Sequence, residues 1–196
     1  MARAPILHQC KTRLVPALGS AGALQAHIEL VRGTLSRLCQ VGDVEVSLWV
    51  SEVDESTQAW AAEYGLPCYR QQGQDLGERM HNALSHLLSE GASAACLVGT
   101  DCPDIDAHYV CSAFAALQQA PVVLGPAEDG GYGLVGLRQP CLGLFQDIQW
   151  SSERVCEQTL RRANEQGLEV AQLARIWDVD RPTDWRRYQR WRKAQG

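Results

Sequence analysis

Short apolar runs alternate with segments of helical periodicity along most of the chain. Apolar runs of strand length lie at residues 44–50, 66–69, 94–98 and 122–124. Apolar residues recur at helical spacing in residues 22–38, 57–64, 76–88, 109–117 and in a segment that starts at Ser151 or Ser152. This alternation predicts an α/β fold with a single doubly wound, mostly parallel sheet sandwiched by helices. With no linker evident, residues 1–196 are predicted to form a single domain.

Asp101 follows the apolar run at residues 94–98, and Pro103 prevents that run from continuing as a strand. An acidic residue at the carboxyl end of a central strand lies where open α/β sheets bind their ligands. Asp101 comes too early to cap the next helix, whereas Asp104 and Asp106 are placed to do so. We therefore predict a functional role for Asp101 and a structural one for the two later aspartates.

Lys11 and Arg13 lie two residues apart in a loop ahead of the first helix. The pair suits a phosphate group, because arginine can bind it with two hydrogen bonds and lysine adds a point charge. A second polar loop, at residues 71–80, contains two glycines and Arg79. Glycines let the backbone approach a ligand closely, but this loop also fits an ordinary helix start capped by Asp75.

Residues 125–137 are rich in glycine and include Asp129, Gly130, Gly131 and Tyr132 in succession. Asp-Gly-Gly between two apolar runs is a common hairpin turn. The adjacent acids, the glycines and the tyrosine also suit a polyhydroxylated ligand. Both interpretations stay open on the residues alone.

Asp178 and Asp180 alternate about Val179, so they share one face if the segment is extended. With Asp101 and Asp129 they form a set of carboxylates that repel one another at short range unless a cation lies among them. Mg²⁺ or Mn²⁺ would relieve this repulsion, and such ions take one or two carboxylates together with substrate phosphates. A metal with Lys and Arg can stabilise charge on a phosphate oxygen during attack at phosphorus or at a sugar C1. The residues therefore allow glycosyl and nucleotidyl transfer about equally.

The overall composition excludes some classes of partner. A formal charge of -5 argues against the broad basic surface that duplex nucleic acid requires. No apolar run predicts a membrane span, and no signal peptide is evident. The 8 cysteines are scattered without a Cys-x-x-Cys pair, which predicts free thiols, no zinc site and a reducing, cytoplasmic setting. A homo-oligomer is compatible with these features.

Six short motifs occur in order along the chain, at residues 11–14, 75–80, 99–103, 125–132, 150–152 and 178–180. Together they resemble the bacterial GT-A-type glycosyltransferase-like family, long described as a domain of unknown function, with some members linked to arsenosugar biosynthesis. The resemblance runs from about Ala2 to Trp185. It implies the fold of the nucleotide-diphospho-sugar transferase superfamily, which metal-dependent nucleotidyltransferases share.

The resemblance also implies roles for the acidic residues. Asp101 would be the principal ligand of a Mg²⁺ or Mn²⁺ ion and a catalytic residue. Asp180 would be the distal metal ligand, and Asp178 is the alternative for that role. Asp129 would be the second catalytic residue.

Further residues would bind the substrates, expected to be a nucleotide-sugar donor and a small-molecule acceptor. The resemblance implies that Lys11 and Arg13 contact the nucleotide phosphates, and we add Arg79 from the second polar loop to this group. It also implies that the hairpin segment faces the sugar or the acceptor through Gly130, Gly131 and Tyr132.

One departure from the family concerns the first strand. Family members usually have an apolar first strand and a Pro-x-Pro-Gly loop before the Lys-Thr-Arg-Leu segment. Here residues 1–10 leave almost no room for that strand, and residues 5–10 contain no glycine. Because this strand is normally central and helps hold the nucleotide base, we expect a truncated first strand or an altered nucleotide pocket.

Three functions follow from these observations. The leading one is a metal-dependent glycosyltransferase that uses a nucleotide-activated sugar donor. The alternative is a nucleotidyltransferase that acts on a phosphorylated small-molecule acceptor. The third, favoured by the altered first strand, is a non-catalytic relative that binds a ligand or partner.

Overall fold

Strands and helices alternate through the computed structural model, which describes residues 1–195. The strands are β1 (Leu48–Val50), β2 (Cys68–Arg70), β3 (Ala95–Val98), β4 (Val122–Pro126), β5 (Tyr132–Leu137) and β6 (Val170–Gln172). The α-helices are α1 (Val15–Leu38), α2 (Glu55–Tyr64), α3 (Leu76–Ser89), α4 (Ala107–Leu117), α5 (Val155–Glu165) and α6 (Pro182–Gln195). Two short 3-10 helices span Thr12–Leu14 and Leu142–Phe145. The predicted α/β class is confirmed.

The strands form two ladders rather than one continuous sheet. The larger sheet has the order β3-β5-β4-β6, and the smaller pairs β1 with β2. In the larger sheet β5 runs antiparallel to β3 and β4, while β6 is parallel to β4. β1 and β2 are parallel. The predicted preference for parallel strands is therefore confirmed, and β5 is reversed because a tight hairpin joins it to β4.

The first residues lie between the two ladders, where the expected first strand would run. The Met1 backbone nitrogen donates a hydrogen bond to Val98 O of β3 at 2.6 Å. Ala2 forms a parallel bridge with Val50 of β1. The first strand is thus reduced to one bridged residue, in line with the expectation of a truncated strand.

Helices cover both faces of the larger sheet. Leu97 of β3 belongs to the buried cluster that includes Leu84 of α3. Val98, the next residue, belongs to the cluster on the other face, which includes Leu117 of α4. Successive strand residues point to opposite faces, so β3 is covered on both sides and its carboxyl end is held firmly in place.

The segment Thr12–Leu38, which includes α1, is long and apolar enough to span a membrane by length and composition alone. Its apolar side chains have another explanation in the structure, since Ala26, Leu30, Val31 and Leu35 are buried in the core. Gly19, with φ 69° and ψ 170°, also interrupts the helix near its start. Packing within the protein therefore accounts for part of this apolar segment.

Of the two aspartates placed to cap α4, Asp106 does so and Asp104 does not. Asp75 caps α3, which was one of the two interpretations of its loop. One predicted helix start is wrong. The side chains of Asp75 and Asp106 cap α3 and α4 by accepting hydrogen bonds from backbone N–H groups of the first turn. The helix predicted to begin at Ser151 or Ser152 begins instead at Val155. Ser151 has φ 66°, and the Ser152 hydroxyl donates to Gln149 O, so both belong to the preceding turns.

Candidate active site

Lys11 and Asp101 form an ion pair at the carboxyl end of β3. Lys11 Nζ lies 2.8 Å from Asp101 Oδ2 and 2.5 Å from Val179 O. The Lys11 side chain is 9% exposed and that of Asp101 is 42% exposed. The ammonium is therefore buried, while the carboxylate is still accessible to solvent.

The ion pair holds both groups in their charged forms. Burial lowers the pKa of Lys11, but the charge and hydrogen bond of Asp101, with the charges of Asp180 and Asp178, together raise it above the ordinary value. Burial raises the pKa of Asp101, but the charge and hydrogen bond of Lys11, with a backbone hydrogen bond and the charge of His27, together lower it below the ordinary value. Asp101 is thus an anion at neutral pH.

The backbone at Lys11 is held in an uncommon conformation. Its φ of 47° and ψ of 42° lie in the left-handed region, which a residue other than glycine adopts at a cost of about 1 kcal/mol or more. The 3-10 helix that follows is anchored by Leu14, which is fully buried. This anchor and the ion pair together keep the lysine in place.

Val179 connects the carboxyl-terminal acids to this ion pair. Its N–H donates to Asp101 O at 2.9 Å, and its carbonyl accepts the hydrogen bond from Lys11. Asp180, which follows it, forms an ion pair with Arg13. The structure therefore brings together residues from three distant parts of the chain, and their roles in ligand binding stay predictions.

Asp178 is half-buried near other carboxylates. Burial, followed by the charges of Asp129 and Asp101, raises the pKa of Asp178 to about 6, although Lys11 acts in the opposite direction. Three other carboxylates, those of Asp129, Asp101 and Asp180, thus act on Asp178. We refer to Asp101, Asp129, Asp178 and Asp180 as the acidic cluster.

The Asp-Gly-Gly segment is a hairpin turn between β4 and β5. Asp129 Oδ1 accepts a hydrogen bond from Gly131 N at 2.8 Å. Gly130 has φ 88°, and a Cβ there would collide with the main chain of Glu153. Gly130 O also accepts a hydrogen bond from Cys156 N at 2.9 Å. The glycines are explained by turn geometry and packing, while Asp129 remains close enough to influence Asp178.

Glu128 attaches this hairpin to α6. It accepts hydrogen bonds from both terminal nitrogens of Arg187, at 2.7 and 3.1 Å. The Arg187 guanidinium also lies over the Trp177 ring, 4.2 Å from its centroid. Nothing local in the sequence marks Arg187 as a partner of Glu128, because the two residues are 59 positions apart.

Two predicted ligand-binding residues lie in settings that do not support those roles. The Tyr132 side chain packs against the core cluster of β3, β4 and β5, and its hydroxyl is buried without a hydrogen-bond partner among residues 1–195. Arg79 Nε donates to Gly73 O at 3.1 Å, within its own loop. Sugar binding by Tyr132 and phosphate binding by Arg79 stay predictions.

Cys102, next to Asp101, is a packing residue. It is 2% exposed, and burial followed by the Asp101 charge raises the pKa of its thiol well above the ordinary value. A nucleophilic cysteine needs a lowered pKa. The surroundings of Cys102 therefore fit packing and not nucleophilic chemistry.

The acidic cluster fits a divalent cation by its donor chemistry. Within residues 1–195, no three His, Cys, Asp or Glu side chains are grouped as a complete metal site. Mg²⁺ that binds with substrate phosphates needs only one or two carboxylates, however. Asp101 and Asp178 supply hard oxygen donors, and the neighbouring carboxylates add to the effect of burial in raising the pKa of Asp178. Lys11 would compete with a divalent cation for Asp101, because its ammonium already contacts one oxygen of that carboxylate.

A cavity of about 450 Å³ adjoins the hairpin at Gly130. Glu153, Cys156, Leu160 and Arg175 are among the residues that line it. Asp129 and the other members of the acidic cluster are not in its lining. Gly130 therefore borders this cavity, whereas Asp129 interacts with the acidic cluster.

Sequence comparison identifies a family of similar proteins. The profile of the family described as "Uncharacterized protein conserved in bacteria (DUF2064)" matches residues 34–152. Asp101 and the hairpin lie inside the matched range, whereas Lys11, Arg13 and residues 178–180 lie outside it. No curated protein matches the chain.

Several solved structures are similar to this one. A candidate nucleotide-diphospho-sugar transferase from Desulfovibrio desulfuricans G20 is 30% identical, with a TM-score of 0.78 over 92% of this chain and 80% of that one. CMP:2-keto-3-deoxy-manno-octonic acid synthetase, solved with CTP, is 13% identical, with a TM-score of 0.60 over 85% of this chain and 88% of that one. Glucosyl-3-phosphoglycerate synthase from Mycobacterium tuberculosis, solved with Mn²⁺, UDP and glucosyl-3-phosphoglycerate, is 12% identical, with a TM-score of 0.56 over 80% of this chain and 69% of that one.

These structures confirm the predicted fold. The last two matches show likeness of fold alone, because their identities are low. The fold expected from the six motifs is that of the nucleotide-diphospho-sugar transferases, and the first match has this fold at higher identity.

Proposed function

This chain belongs to the DUF2064 family. We propose that it is a nucleotide-diphospho-sugar transferase and, within that class, a metal-dependent glycosyltransferase. One observation carries the proposal. A basic loop, an aspartate at the end of a central strand and a carboxyl-terminal acidic pair meet through Lys11, Asp101 and Val179. This is the place where open α/β sheets bind ligands.

The donor's diphosphate would bind to the basic loop. The Arg13 side chain is 60% exposed, so its guanidinium can reach a phosphate with two hydrogen bonds. Asp101, with Asp180 or Asp178, would hold the divalent ion. When bound, this ion would neutralise charge on the diphosphate and so stabilise the leaving group.

The hairpin would present Asp129 to the acceptor. In glycosyl transfer an acceptor oxygen forms a bond to the sugar C1, and the bond from C1 to the phosphate oxygen breaks with its electron pair leaving on the nucleoside diphosphate. Asp129 would take the proton that the acceptor hydroxyl loses. Its neighbours Gly130 and Gly131 would bring the backbone close to the sugar or acceptor.

Nucleotidyl transfer is the second candidate. The fold is similar to that of an enzyme solved with CTP, at a TM-score of 0.60, and this likeness supports nucleotidyl transfer as an alternative. The same groups would then stabilise charge on the α-phosphate and on departing pyrophosphate. The two reactions differ in their products, which makes them separable by experiment.

The proposal is tested first by thermal shift with nucleotide sugars and nucleoside triphosphates, each with and without Mn²⁺. A bound ligand at 100 times its Kd stabilises the fold by about 2.7 kcal/mol, so a true donor should raise Tm. Reactions with that donor and sugar or phosphorylated acceptors are then analysed. Nucleoside diphosphate as product supports glycosyl transfer, and pyrophosphate supports nucleotidyl transfer.

Asp101→Asn is the matched variant for this experiment. It should lose the Mn²⁺-dependent part of the shift, provided that far-UV circular dichroism shows the variant to be folded. If no compound raises Tm in the wild-type protein, with or without Mn²⁺, the transferase proposal fails. The non-catalytic binding relative would then be the better interpretation.

A further inference from the structure

Lys11 occupies a position of the kind that a divalent cation takes. Its ammonium contacts a carboxylate oxygen of Asp101 and the main-chain carbonyl of Val179, at 2.8 and 2.5 Å. Carboxylate and carbonyl oxygens are ligands that hard cations prefer. The side chain is 9% exposed, so this cation is built into the protein rather than attached to its surface.

The same oxygen cannot serve two cations well. A metal ion and an ammonium group in contact with one carboxylate oxygen repel each other strongly, because little water separates them. Arg13 already neutralises Asp180 on the neighbouring segment. Asp178, in contrast, has no ion-pair partner within the described residues and interacts with like charges.

We propose that the Lys11 ammonium is the resident counter-ion of Asp101, that a divalent cation must displace it from this carboxylate to bind, and that the diphosphate of the donor strengthens cation binding by giving Lys11 another partner. The inference rests on the proposed nucleotide-sugar function for the identity of that diphosphate. It explains why a residue expected to bind phosphate is paired with an aspartate in the absence of ligand. Metal and diphosphate binding are therefore coupled through one side chain.

The test measures Mn²⁺ binding by electron paramagnetic resonance, which detects free Mn²⁺ directly and needs no catalytic activity. Wild-type protein should bind Mn²⁺ weakly alone and more tightly with UDP. Lys11→Met should bind Mn²⁺ alone roughly tenfold more tightly than wild type, because a competing charge is gone. Lys11→Arg keeps the charge and should bind weakly, and adding Asp101→Asn to Lys11→Met should abolish the gain.

Amine labelling supplies a second measurement that needs no variant. The chain has two lysines, Lys11 and Lys193, and Lys193 is exposed in α6. Trace acetylation read by mass spectrometry should modify Lys11 far more slowly than Lys193 in the free protein. At Mn²⁺ concentrations where the ion is bound, the ratio should shift toward Lys11.

Two results would overturn the inference. One is a Lys11→Met protein, folded by circular dichroism, that binds Mn²⁺ no more tightly than wild type. The other is a labelling ratio that bound Mn²⁺ leaves unchanged. Neither depends on turnover, so failure of the transferase assay leaves the Mn²⁺ competition testable, and failure of the competition leaves the transferase proposal standing.

Discussion

Arg187 and Glu128, 59 residues apart in the chain, join the last helix to the β4–β5 hairpin through two hydrogen bonds of 2.7 and 3.1 Å. The indole of Trp177 lies beneath the same guanidinium. The position of Asp129, the next residue after Glu128, therefore depends on contacts made by α6. This contact connects the carboxyl-terminal segment with the candidate site.

Arg187→Gln should lower the free energy of unfolding by about 1 kcal/mol, because it removes an exposed two-point ion pair and a cation–π contact. Urea denaturation measures the loss. Arg32→Gln is the control, since Arg32 forms a single contact of 2.9 Å with Glu63 at similar exposure. Equal losses in the two variants would contradict a special role for Arg187.

Asp178 gives a pH-dependent prediction. Its pKa is about 6 in the folded protein and 3.8 ordinarily. Between these values the folded protein keeps a proton that the unfolded chain has released, so this group lowers stability as the pH rises through that window. Asp178→Asn should therefore exceed wild type in Tm at pH 7.5, and the difference should disappear below about pH 4.

Thermal melts from pH 3.5 to 8 check this expectation, with Asp104→Asn as a control outside the acidic cluster. A difference between Asp178→Asn and wild type that is constant across the whole range would refute the assignment. A difference that grows as the pH falls would show that the pKa of Asp178 is lowered on folding and not raised.

Asp101 and Asp180 should differ in their contributions to stability. Asp101→Asn leaves the buried Lys11 ammonium without its partner and should cost roughly 2–4 kcal/mol, at the low end for such pairs because Asp101 is 42% exposed. Asp180→Asn removes the partner of Arg13, a solvent-exposed cation, and should cost less. Urea denaturation at pH 7 compares the two variants, and the reverse order would argue against the ion pair described here.

Gly130 should tolerate no side chain. Gly130→Ala would bring a Cβ into the main chain of Glu153 at a φ of 88°, and we expect a loss of more than about 2 kcal/mol. Gly65→Ala is the matched control, because Gly65 has φ 65° with open space around it and should cost only about 1 kcal/mol. Chemical denaturation distinguishes the two, and similar losses would mean that the hairpin can move away from Glu153.

Sequence reasoning located Asp101 because its signal is local: an apolar strand ends, and an aspartate and a proline follow. The caps at Asp75 and Asp106 were predictable for the same reason, since a cap depends on residues within one turn. The contact of Lys11 with Val179 O was not predictable, because a main-chain carbonyl has no signature in the sequence. The pattern also missed β6, because its sequence Val-Ala-Gln follows Glu169 and contains only two apolar residues.

Tyr132 shows how a single irregularity changes a side chain's direction. Strict alternation would place it on the same sheet face as Leu134. Leu134 pairs with Gly125, however, and Tyr132 pairs with Pro126, so Gly133 is an extra residue on β5. This β-bulge turns Tyr132 to the opposite face, against the core cluster that contains Val135. Gly-Tyr-Gly is compatible with either register, so the sequence alone does not determine which face of the sheet Tyr132 occupies.

Val179 supplies both of its main-chain polar groups to the candidate site while its side chain is fully buried beside Trp177. A protein trimmed just before Trp177 would keep Asp101 and its entire strand, yet would lose the carbonyl beneath Lys11 and the carboxylate opposite Arg13. The same cut would remove α6 and with it the Trp185 and Tyr188 side chains that pack against α1. The carboxyl-terminal segment therefore contributes to the candidate site and to the core at once.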